Sequence, residues 1–436
     1  MGEYLVKFYV ENPNKRKQVY DILNIFFDHD EIVFDEKASL KVLEEDIIYN
    51  NELISYDKDN LKRRLYDLLK KVTGYESPWG YLTGSKPSKL LKNLSPDEIK
   101  SKYDLSDDKL RLLVEVKDEQ EKISIDPRDF SLYINIPFCP SRCHYCSYPT
   151  IVGPREDRSK YIDSLIYEIE NISLPRKLDA IYIGGGTPSY IKTDDLRRLL
   201  LAINEKFSYK EFTFEAGRED TLDFDKLKLL RENGVGRISL NPQSFNENIV
   251  KRAGRSYDFS HFLDIFKMAR DLGFIINTDF IIGLMGEKAD DFKRNFLILE
   301  DLMPDNITFH TLAIKVSSKY FEKNAKASRK DVILISEMID DFVRRNSYKP
   351  YYLYRQKNIA SNLENVGYQK NNTSQRYNII INEELESIIG LGMNANSKLL
   401  SGKKFRNSRN LRDYYEKVTS EIDAKNKLIN EYSNIN

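Results

Sequence analysis

Hydrophobic and polar residues follow a regular pattern from Ser131 to about residue 320. Six short apolar segments rich in β-branched residues alternate there with longer amphipathic segments. The six are SLYINIPF, AIYIGGG, EFTFEAG, RISLNPQSF, FIINTDFIIGL and NITFHTLAI. Strands that alternate with helices predict βαβ units and a parallel sheet. Six units predict an α/β fold of the partial (β/α)6, TIM-like barrel type, although a flat doubly wound sheet would give a similar pattern.

The chain on either side of residues 129–320 is organised differently. Residues 1–76 predict a small N-terminal α/β domain, because EYLVKFYV has strand character while KRKQVYDILNIFF and DNLKRRLYDLLKKVTGY have helical spacing. Residues 77–128 open with the turn-forming stretch SPWGYLTGSKPSK and continue as charged helical segments, which predicts a helical linker region. Residues 321–436 are predicted to form a C-terminal α+β extension.

Polar or flexible residues recur where the six predicted strands end. They are Cys139, Gly184 to Gly186, Glu215, Gln243, Asp279 and His310. The carboxyl ends of the strands in a parallel α/β barrel share one face, and that face carries the active site. The spacing therefore predicts that these residues surround one site.

Composition excludes several classes of protein. The 68 basic and 68 acidic residues cancel, so nothing indicates a general attraction to nucleic acid or to an anionic membrane. No apolar run approaches the roughly 18–20 residues that cross a bilayer. The N-terminal sequence lacks the plan of a signal peptide. We therefore expect a cytoplasmic protein without disulfides, since an odd number of thiols would leave one unpaired.

All three cysteines of the chain lie in the stretch IPFCPSRCHYC. Three soft thiolates on one loop suit zinc or an iron–sulfur cluster. Structural zinc requires four protein ligands, and His144 is the nearest candidate for the fourth, although it lies between two of the thiols. A 4Fe–4S cluster would instead keep one iron without a protein ligand, which makes an open site for a substrate or cofactor.

The spacing C-x3-C-x2-C, with Tyr145 before the third cysteine, resembles the signature of the radical S-adenosylmethionine (SAM) superfamily. Within it, IPFCPSRCHYC, IGGGTPSY, FEAGRED, PQSF and NTDFIIGL resemble the oxygen-independent coproporphyrinogen III oxidase family, the group of HemN, HemW and HemZ. SPWGYLTGSKPSK, YYLYRQKNIASNLENVGY and IIGLGMNANSK are most similar to the HemZ branch. The resemblance extends from about Ser77 to about Lys398 and implies a radical SAM barrel.

The resemblance also implies cofactors. Cys139, Cys143 and Cys146 would hold a 4Fe–4S cluster whose open iron binds SAM, and a reduced cluster would cleave SAM to methionine and a 5′-deoxyadenosyl radical. One SAM molecule is implied, and a second is left open. Further residues match family positions in catalysis or SAM binding, namely Tyr133, Gly185, Gly186, Thr187, Glu215, Gln243, Arg255, Asp279 and Ala313. Glu215 would meet the SAM ammonium and Arg255 its carboxylate.

Each of these residues also has a purely structural interpretation. Tyr133 fits a core aromatic, the glycines fit a tight turn, and the polar side chains fit hydrogen bonds to the backbone.

Three positions depart from the family pattern. Tyr148 stands where the oxidases carry a further cysteine, which puts in doubt the identity with those enzymes but not radical formation. His310 would be a proton donor, a heme-facing ligand or, as we expect, a neutral imidazole bonded to the backbone. Asn396 stands where the family has an apolar residue near the second SAM.

A tetrapyrrole substrate would bring several propionates, which require cations. Arg218, Arg355 and Lys357 are the candidates in the sequence. Three tyrosines near two of them either contact a macrocycle or, as we expect, pack in the core. They are Tyr351, Tyr352 and Tyr354.

Three functions remain open at this point. The first is oxidative decarboxylation of coproporphyrinogen III propionates to vinyl groups, giving protoporphyrinogen IX in heme biosynthesis. The second is another radical reaction of heme or a tetrapyrrole, such as methyl transfer with ring opening. The third is a heme carrier of the HemW type. For the enzymes we expect a small-molecule tetrapyrrole substrate and an electron donor such as flavodoxin or ferredoxin, with no nucleic acid and no membrane span.

Overall fold

The structure is a computed structural model that describes residues 6–57, 59–152, 157–323, 327–356 and 359–433. Its strands form two sheets, one of five strands near the N-terminus and one of eleven strands that includes the predicted barrel. The strands are β1 (Val6–Val10), β2 (Ile32–Phe34), β3 (Leu40–Val42), β4 (Asp46–Tyr49), β5 (Glu52–Ser55), β6 (Phe130–Ile136), β7 (Lys177–Gly185), β8 (Ser208–Phe214), β9 (Arg237–Ser239), β10 (Ile275–Ile282), β11 (Asn306–Thr311), β12 (Lys349–Tyr354), β13 (Asn365–Gln369), β14 (Ser387–Leu391), β15 (Asn396–Lys398) and β16 (Lys404–Arg406).

Most α-helices lie between these strands, two of them within residues 77–128, and the last helix follows β16. They are α1 (Arg16–Phe26), α2 (Leu61–Thr73), α3 (Pro96–Tyr103), α4 (Asp107–Glu121), α5 (Asp157–Asn171), α6 (Thr193–Lys206), α7 (Phe224–Glu232), α8 (Glu247–Arg252), α9 (Phe259–Asp271), α10 (Ala289–Leu302), α11 (Lys319–Lys323), α12 (Arg329–Arg345), α13 (Arg376–Glu383) and α14 (Leu411–Ser433). None of the helices in the described ranges combines the length and apolar character needed to cross a membrane.

The N-terminal sheet has the order β2-β1-β3-β4-β5, with β1 parallel to both of its neighbours. Helices α1 and α2 pack on it, and apolar residues at helical spacing, such as Ile22, Leu23 and Leu65, form a core of their own with the strands. Helix α2 ends at Gly74, whose φ of 68° is the left-handed conformation that glycine adopts freely.

The predicted barrel is confirmed. Strands β6 to β11 lie side by side in sequence order and are parallel, and helices alternate with them. A doubly wound sheet would reverse its order at a switch point, and this order does not reverse. On one side β13 and β12 continue the sheet antiparallel, and on the other β14 pairs parallel to β6 before β15 and β16 complete it.

Side chains alternate between the two faces of the barrel strands. On β6, Leu132 and Ile134 join the large core that the surrounding helices form, while Tyr133 contacts tyrosines on the opposite, inner face. On β10, Phe280 belongs to the same outer core, and Asp279 lies on the inner face beside Asn277. The inner face therefore carries the polar residues that the sequence places at strand ends.

Residues 77–128 pack on the barrel. Trp79 and Leu113 are fully buried in the same core as β6 and β7. The indole Nε1 of Trp79 donates to Glu364 at 2.6 Å, and Lys109 makes a buried ion pair with the other oxygen of that carboxylate at 2.5 Å. These contacts tie the region to the loop that precedes β13.

Candidate active site

The cysteines lie on one loop, Cys139–Ile151, which follows β6 and which we call the cysteine loop. Its two ends are joined by hydrogen bonds from the Cys139 N–H to the Ile151 carbonyl (3.0 Å) and from the Ile151 N–H to the Pro137 carbonyl (2.8 Å). All three thiols are free and half-buried. The Thr187 hydroxyl donates to Cys139 Sγ at 3.5 Å. The three thiols therefore project from one closed loop at the barrel mouth.

His144 anchors the cysteine loop and does not complete a zinc site. Its N–H donates to the Ala253 carbonyl at 2.8 Å, and its Nδ1 lies 3.1 Å from the Arg252 carbonyl oxygen. A Cβ on Gly254 would come within 2.7 Å of the imidazole Nε2, so that nitrogen also faces the backbone after α8. Within the described residues no set of three His, Cys, Asp or Glu side chains converges on one metal ion.

The donor set fits a cluster of several irons. Three thiols without a competing carboxylate are the ligands that iron–sulfur clusters use. Burial raises the pKa of the Cys139 thiol to about 11, although the Thr187 hydroxyl and Arg218 act in the opposite direction. A cluster supplies the positive charge that a buried thiolate needs, so the thiols suit a group that takes all three at once.

The glycines after β7 let this strand lie against the root of the cysteine loop. The Gly186 N–H donates to the Ile136 carbonyl at 2.8 Å, and the Thr187 N–H donates to the Phe138 carbonyl at 2.7 Å. Gly185 has a φ of 117°, and a Cβ on Gly186 would lie 2.7 Å from the Phe138 oxygen. Larger residues would push the loop outward, so Gly185, Gly186 and Thr187 position the cysteines whether or not they also contact a ligand.

Two carboxylates meet on the inner face of the mouth. Burial, reinforced by the charge of Asp279, raises the pKa of Glu215 to about 7, while hydrogen bonds from the Gly185 N–H and the Tyr182 hydroxyl oppose the rise. Asp279 accepts a hydrogen bond from Asn277 Nδ2 at 2.8 Å. The charge of Asp279 disfavours the ionisation of Glu215, and a cationic ligand group would relieve this repulsion.

Gln243 has the features of a ligand-binding residue. Its backbone φ of 66° lies in the left-handed region, which residues other than glycine seldom adopt. Its N–H donates to the Asp279 carbonyl and its carbonyl accepts from the Ile281 N–H, both at 3.0 Å. Its Oε1 is buried and finds no hydrogen-bond partner among the described residues. A ligand hydroxyl or amine would satisfy this oxygen.

Arg255 is buried behind the mouth and is largely committed to protein partners. Its Nη1 donates to the Asn241 carbonyl at 2.6 Å, and its Nη2 donates to the Gly217 carbonyl at 2.9 Å and to Glu219 at 3.1 Å. Its Nε has no partner among the described residues. One donor therefore remains for a ligand carboxylate.

Among the described residues, the His310 side chain contacts side chains and not the backbone, so the expected backbone bond is not found. Its Nδ1 lies 3.2 Å from the Tyr354 hydroxyl, and its Nε2 lies 3.7 Å from Asp279 Oδ2. The ring is half-buried, with 27% of the side chain exposed. Ala313 lies two residues after the end of β11 and pairs with Ile359 in an antiparallel bridge. His310 thus links the carboxylates of the mouth to the C-terminal extension.

Two of the three cations proposed for propionates are engaged with protein partners. Arg355 is buried and donates to the carbonyls of Leu82 (2.6 Å) and Asn362 (2.8 Å), so its role as a substrate contact is corrected to a structural one. Arg218 forms a bidentate pair with Asp220 and donates to Ser141 of the cysteine loop at 2.8 Å. Lys357 lies outside the described residues.

The aromatic candidates divide between core and mouth. Tyr351 and Tyr352 are buried, as the packing interpretation expects, while Tyr354 is half-buried beside His310. Asn396 is exposed on β15, where it accepts from Arg406 Nε at 2.7 Å. Tyr148 is 66% exposed.

Sequence reasoning missed two residues of the inner face. Tyr182 and Tyr377 stack on each other with ring centroids 4.7 Å apart, and both stack on Tyr133, at 6.2 Å and 6.4 Å. Because side chains alternate along a strand, the position of Tyr182 two residues before Gly184 on β7 could have indicated that it faces inward. Tyr377 comes from α13, and nothing in its local sequence indicates that it reaches the barrel.

Comparisons with known proteins agree with this geometry. A sequence model of the radical SAM superfamily matches residues 133–297. The solved structure of the Escherichia coli coproporphyrinogen III oxidase HemN, a radical SAM enzyme, shares the fold with a TM-score of 0.56 at 21% identity, over 78% of this chain and 76% of that one. The fold and the matched region define a radical SAM protein, which implies a 4Fe–4S cluster and SAM.

Two relatives show to which family of radical SAM proteins the chain is similar. The oxygen-independent coproporphyrinogen-III oxidase-like protein HemZ of Bacillus subtilis is 36% identical over 408 residues, which covers 85% of this chain and 81% of the relative. The heme chaperone HemW of Lactococcus lactis is 28% identical over 314 residues, covering 70% of this chain and 79% of the relative. The chain belongs to the family of oxygen-independent coproporphyrinogen III oxidase-like proteins that contains HemN, HemW and HemZ.

Proposed function

We propose that this protein is a radical SAM enzyme that oxidatively decarboxylates the propionates of coproporphyrinogen III to vinyl groups. The observation that carries the proposal is the convergence of the cysteine loop with Glu215, Gln243 and Asp279 at one barrel mouth. Gln243 adds a strained backbone and an unsatisfied buried oxygen at that mouth. Such features collect at ligand sites.

The residues divide the binding of SAM among them. Cys139, Cys143 and Cys146 would hold the cluster, which together with SAM supplies a 5′-deoxyadenosyl radical when both are bound. Glu215, in its ionised form, accepts from the SAM ammonium, and the free Nε of Arg255 donates to its carboxylate.

Other side chains contact the ribose of SAM and line the reacting centre. Gln243 Oε1 and Asp279 accept hydrogen bonds from ribose hydroxyls. The stacked tyrosines under the mouth, Tyr133 and Tyr182, exclude water from the reacting centre.

The reaction balances in two parts for each propionate. The β-carbon of the side chain would give up a hydrogen atom to the 5′-deoxyadenosyl radical, which becomes 5′-deoxyadenosine. The carboxylate then leaves as carbon dioxide while one electron passes to an acceptor. The remaining two carbons form the vinyl group. Two propionates consume two SAM molecules and give protoporphyrinogen IX.

A heme carrier is the second candidate, because the HemW relative is named a heme chaperone. A carrier usually needs an axial heme ligand. Of the four histidines, His144 is bonded to the backbone after α8, and His310 is the one that faces the inner side of the mouth. A carrier would therefore bind heme through His310, and His310→Ala would abolish its heme spectrum. Ring opening of heme by methyl transfer is separated from both by its linear product.

The test is anaerobic. The cluster is reconstituted and reduced with dithionite, SAM and coproporphyrinogen III are added, and 5′-deoxyadenosine and tetrapyrroles are followed by mass spectrometry. We expect loss of two carboxyl groups, abolished in Cys143→Ala and unchanged in Lys404→Ala, which alters an exposed side chain on β16 at the edge of the sheet. Deoxyadenosine without decarboxylation would move the substrate elsewhere. An intact reduced cluster that forms no deoxyadenosine would favour the carrier.

A further inference from the structure

The cysteine loop is supported from the solvent side by two neighbouring segments. The loop after β11 contacts it through Arg142 Nη2, which donates to the Ser317 carbonyl at 3.0 Å, and through the Tyr320 N–H, which donates to the His144 carbonyl at 3.0 Å. The end of α8 contacts it through the His144 N–H and the Ala253 carbonyl, at 2.8 Å. Exposed side chains on these segments therefore surround the three cysteines.

These side chains are predominantly cationic, and we call them the basic rim. The basic rim consists of Arg142, Lys251, Arg252, Lys315 and Lys319, all exposed. The same stretches carry two exposed carboxylates, Glu247 and Glu322, and Glu247 pairs with Lys251 at 3.4 Å. In the part of the chain that the structure describes, no carboxylate lies within 4 Å of the Lys315 or Lys319 ammonium group. The chain as a whole has no net charge, so this surface holds a local excess.

Apolar side chains lie exposed among these cations. Val316 is 76% exposed and Tyr148 is 66% exposed. The two chain segments that carry them meet, because the Ser317 hydroxyl donates to the Ser147 carbonyl at 3.4 Å. An exposed apolar centre ringed by charged residues is typical of a transient protein interface.

We propose that the basic rim, with Val316 and Tyr148 at its centre, is the docking surface for an acidic one-electron carrier protein. The proposal rests on the proposed function, because a cluster that cleaves SAM must first gain an electron. The transfer forms and breaks no bond, since the carrier loses one electron and the cluster gains it. A carrier seated here contacts the loop that holds the cysteines, so the electron has only that loop to cross. Complementary charge raises the rate of such encounters by 10-fold to about 1,000-fold at low salt.

The experiment measures cluster reduction directly. Reconstituted protein is mixed in a stopped-flow instrument with reduced flavodoxin or reduced ferredoxin, both acidic low-potential carriers, and bleaching of the cluster absorbance is followed at low and high ionic strength. Lys315→Glu/Lys319→Glu reverses two charges of the basic rim. Lys404→Glu/Lys427→Glu is the matched control, because both lysines are exposed on the opposite edge of the sheet and on α14.

We expect the rate constant at low salt to fall at least about 10-fold in Lys315→Glu/Lys319→Glu and to change less than about 2-fold in the control. High salt should remove most of the difference. Reduction by dithionite, which needs no docking, should be unchanged in both variants, and this shows that the variants fold and hold their clusters.

Other outcomes overturn the proposal in distinguishable ways. Equal rates in the two double variants, or a wild-type rate independent of salt, would place docking elsewhere. If neither carrier reduces the wild type while dithionite supports decarboxylation, the docking proposal fails and the proposed function stands. If the carriers reduce the cluster as expected but no tetrapyrrole product forms, the proposed function fails instead. Salt-sensitive binding of a labelled oligonucleotide that the rim variant loses, with unchanged reduction, would assign the surface to a nucleic acid.

Discussion

Removal of one partner from the buried ion pair between α5 and α14 should strongly destabilise the barrel. Glu168 and Lys425 are both fully buried, and the Lys425 ammonium donates to Glu168 Oε1 and to the Gly390 carbonyl, the latter at 3.3 Å. Glu168 Oε2 also accepts from the Tyr414 hydroxyl and from the Gly392 N–H, both at 2.7 Å. Lys425→Met keeps the aliphatic stem but removes the charge, which leaves a buried carboxylate without its cation.

Removing one partner of a buried ion pair costs about 3–5 kcal/mol. Because Tyr414, Gly392 and Asn407 still donate to the carboxylate, we expect Lys425→Met to lower the free energy of unfolding by about 3 kcal/mol, the lower end of that range. The double variant Glu168→Gln/Lys425→Met removes both charges and should recover all but about 1 kcal/mol, since a neutral pair no longer carries the desolvation cost.

Trp79 provides the assay, because it is the single tryptophan of the chain and is fully buried in the barrel core. Its fluorescence reports unfolding of the barrel in guanidinium chloride. The matched control is Lys403→Met, which breaks the exposed pair between Lys403 and Glu431 (2.6 Å) and should cost no more than about 1 kcal/mol. Equal midpoints for Lys425→Met and Lys403→Met would refute the reasoning, and so would a double variant no more stable than Lys425→Met.

Three further variants test the mouth and its surroundings. Gln243→Ala should weaken SAM binding about 10-fold, measured by calorimetry on reconstituted protein, because a ribose hydroxyl loses a buried oxygen that has no partner among the described residues; unchanged affinity would contradict the assigned ribose contact. SAM affinity in the wild type should rise about 10-fold from about pH 6 to about pH 8, as Glu215 ionises through a pKa of about 7, and should be flat in Glu215→Gln. Burial raises the pKa of Glu287 to about 8, so its ionisation lowers stability as pH rises from the ordinary carboxyl range through 8; Glu287→Gln should therefore gain stability over the wild type at about pH 9 and not at about pH 5, and a constant difference would contradict the assignment.

The sequence predicted the barrel because six apolar segments alternate regularly with amphipathic helices, although β9 itself has only three residues. Each strand carries a polar residue or glycine near its carboxyl end or in the loop that follows, so the position of the mouth also followed from the pattern. The N-terminal sheet was harder to predict, because β2 to β5 have only three or four residues each and little apolar periodicity. Strand β14 pairs beside β6 through five residues whose sequence carries no mark of their partner.

The roles of the arginines could not be read from the sequence for a different reason. Arg355 donates to Leu82, 273 positions away, and that carbonyl exists as a partner only once residues 77–128 pack on the barrel. Arg255 likewise donates to the carbonyls of Asn241 and Gly217. Every residue has a backbone carbonyl, so the sequence does not show which carbonyls will accept from an arginine. It therefore does not distinguish an arginine bonded to the backbone from one that binds an anionic ligand.

The commitment of these arginines bears on the proposed reaction. Among the described residues, the inner face of the mouth presents tyrosines, amides, two carboxylates and His310, while Arg218 and Arg355 are tied to protein partners. A propionate held by a guanidinium would gain charge-assisted hydrogen bonds that it must lose when carbon dioxide, a neutral molecule, departs. Binding that favours the ground state in this way raises the barrier to the chemical step. A neutral donor, such as the Tyr354 hydroxyl, would hold a reacting carboxylate more weakly than a guanidinium and so favour its loss in the proposed reaction.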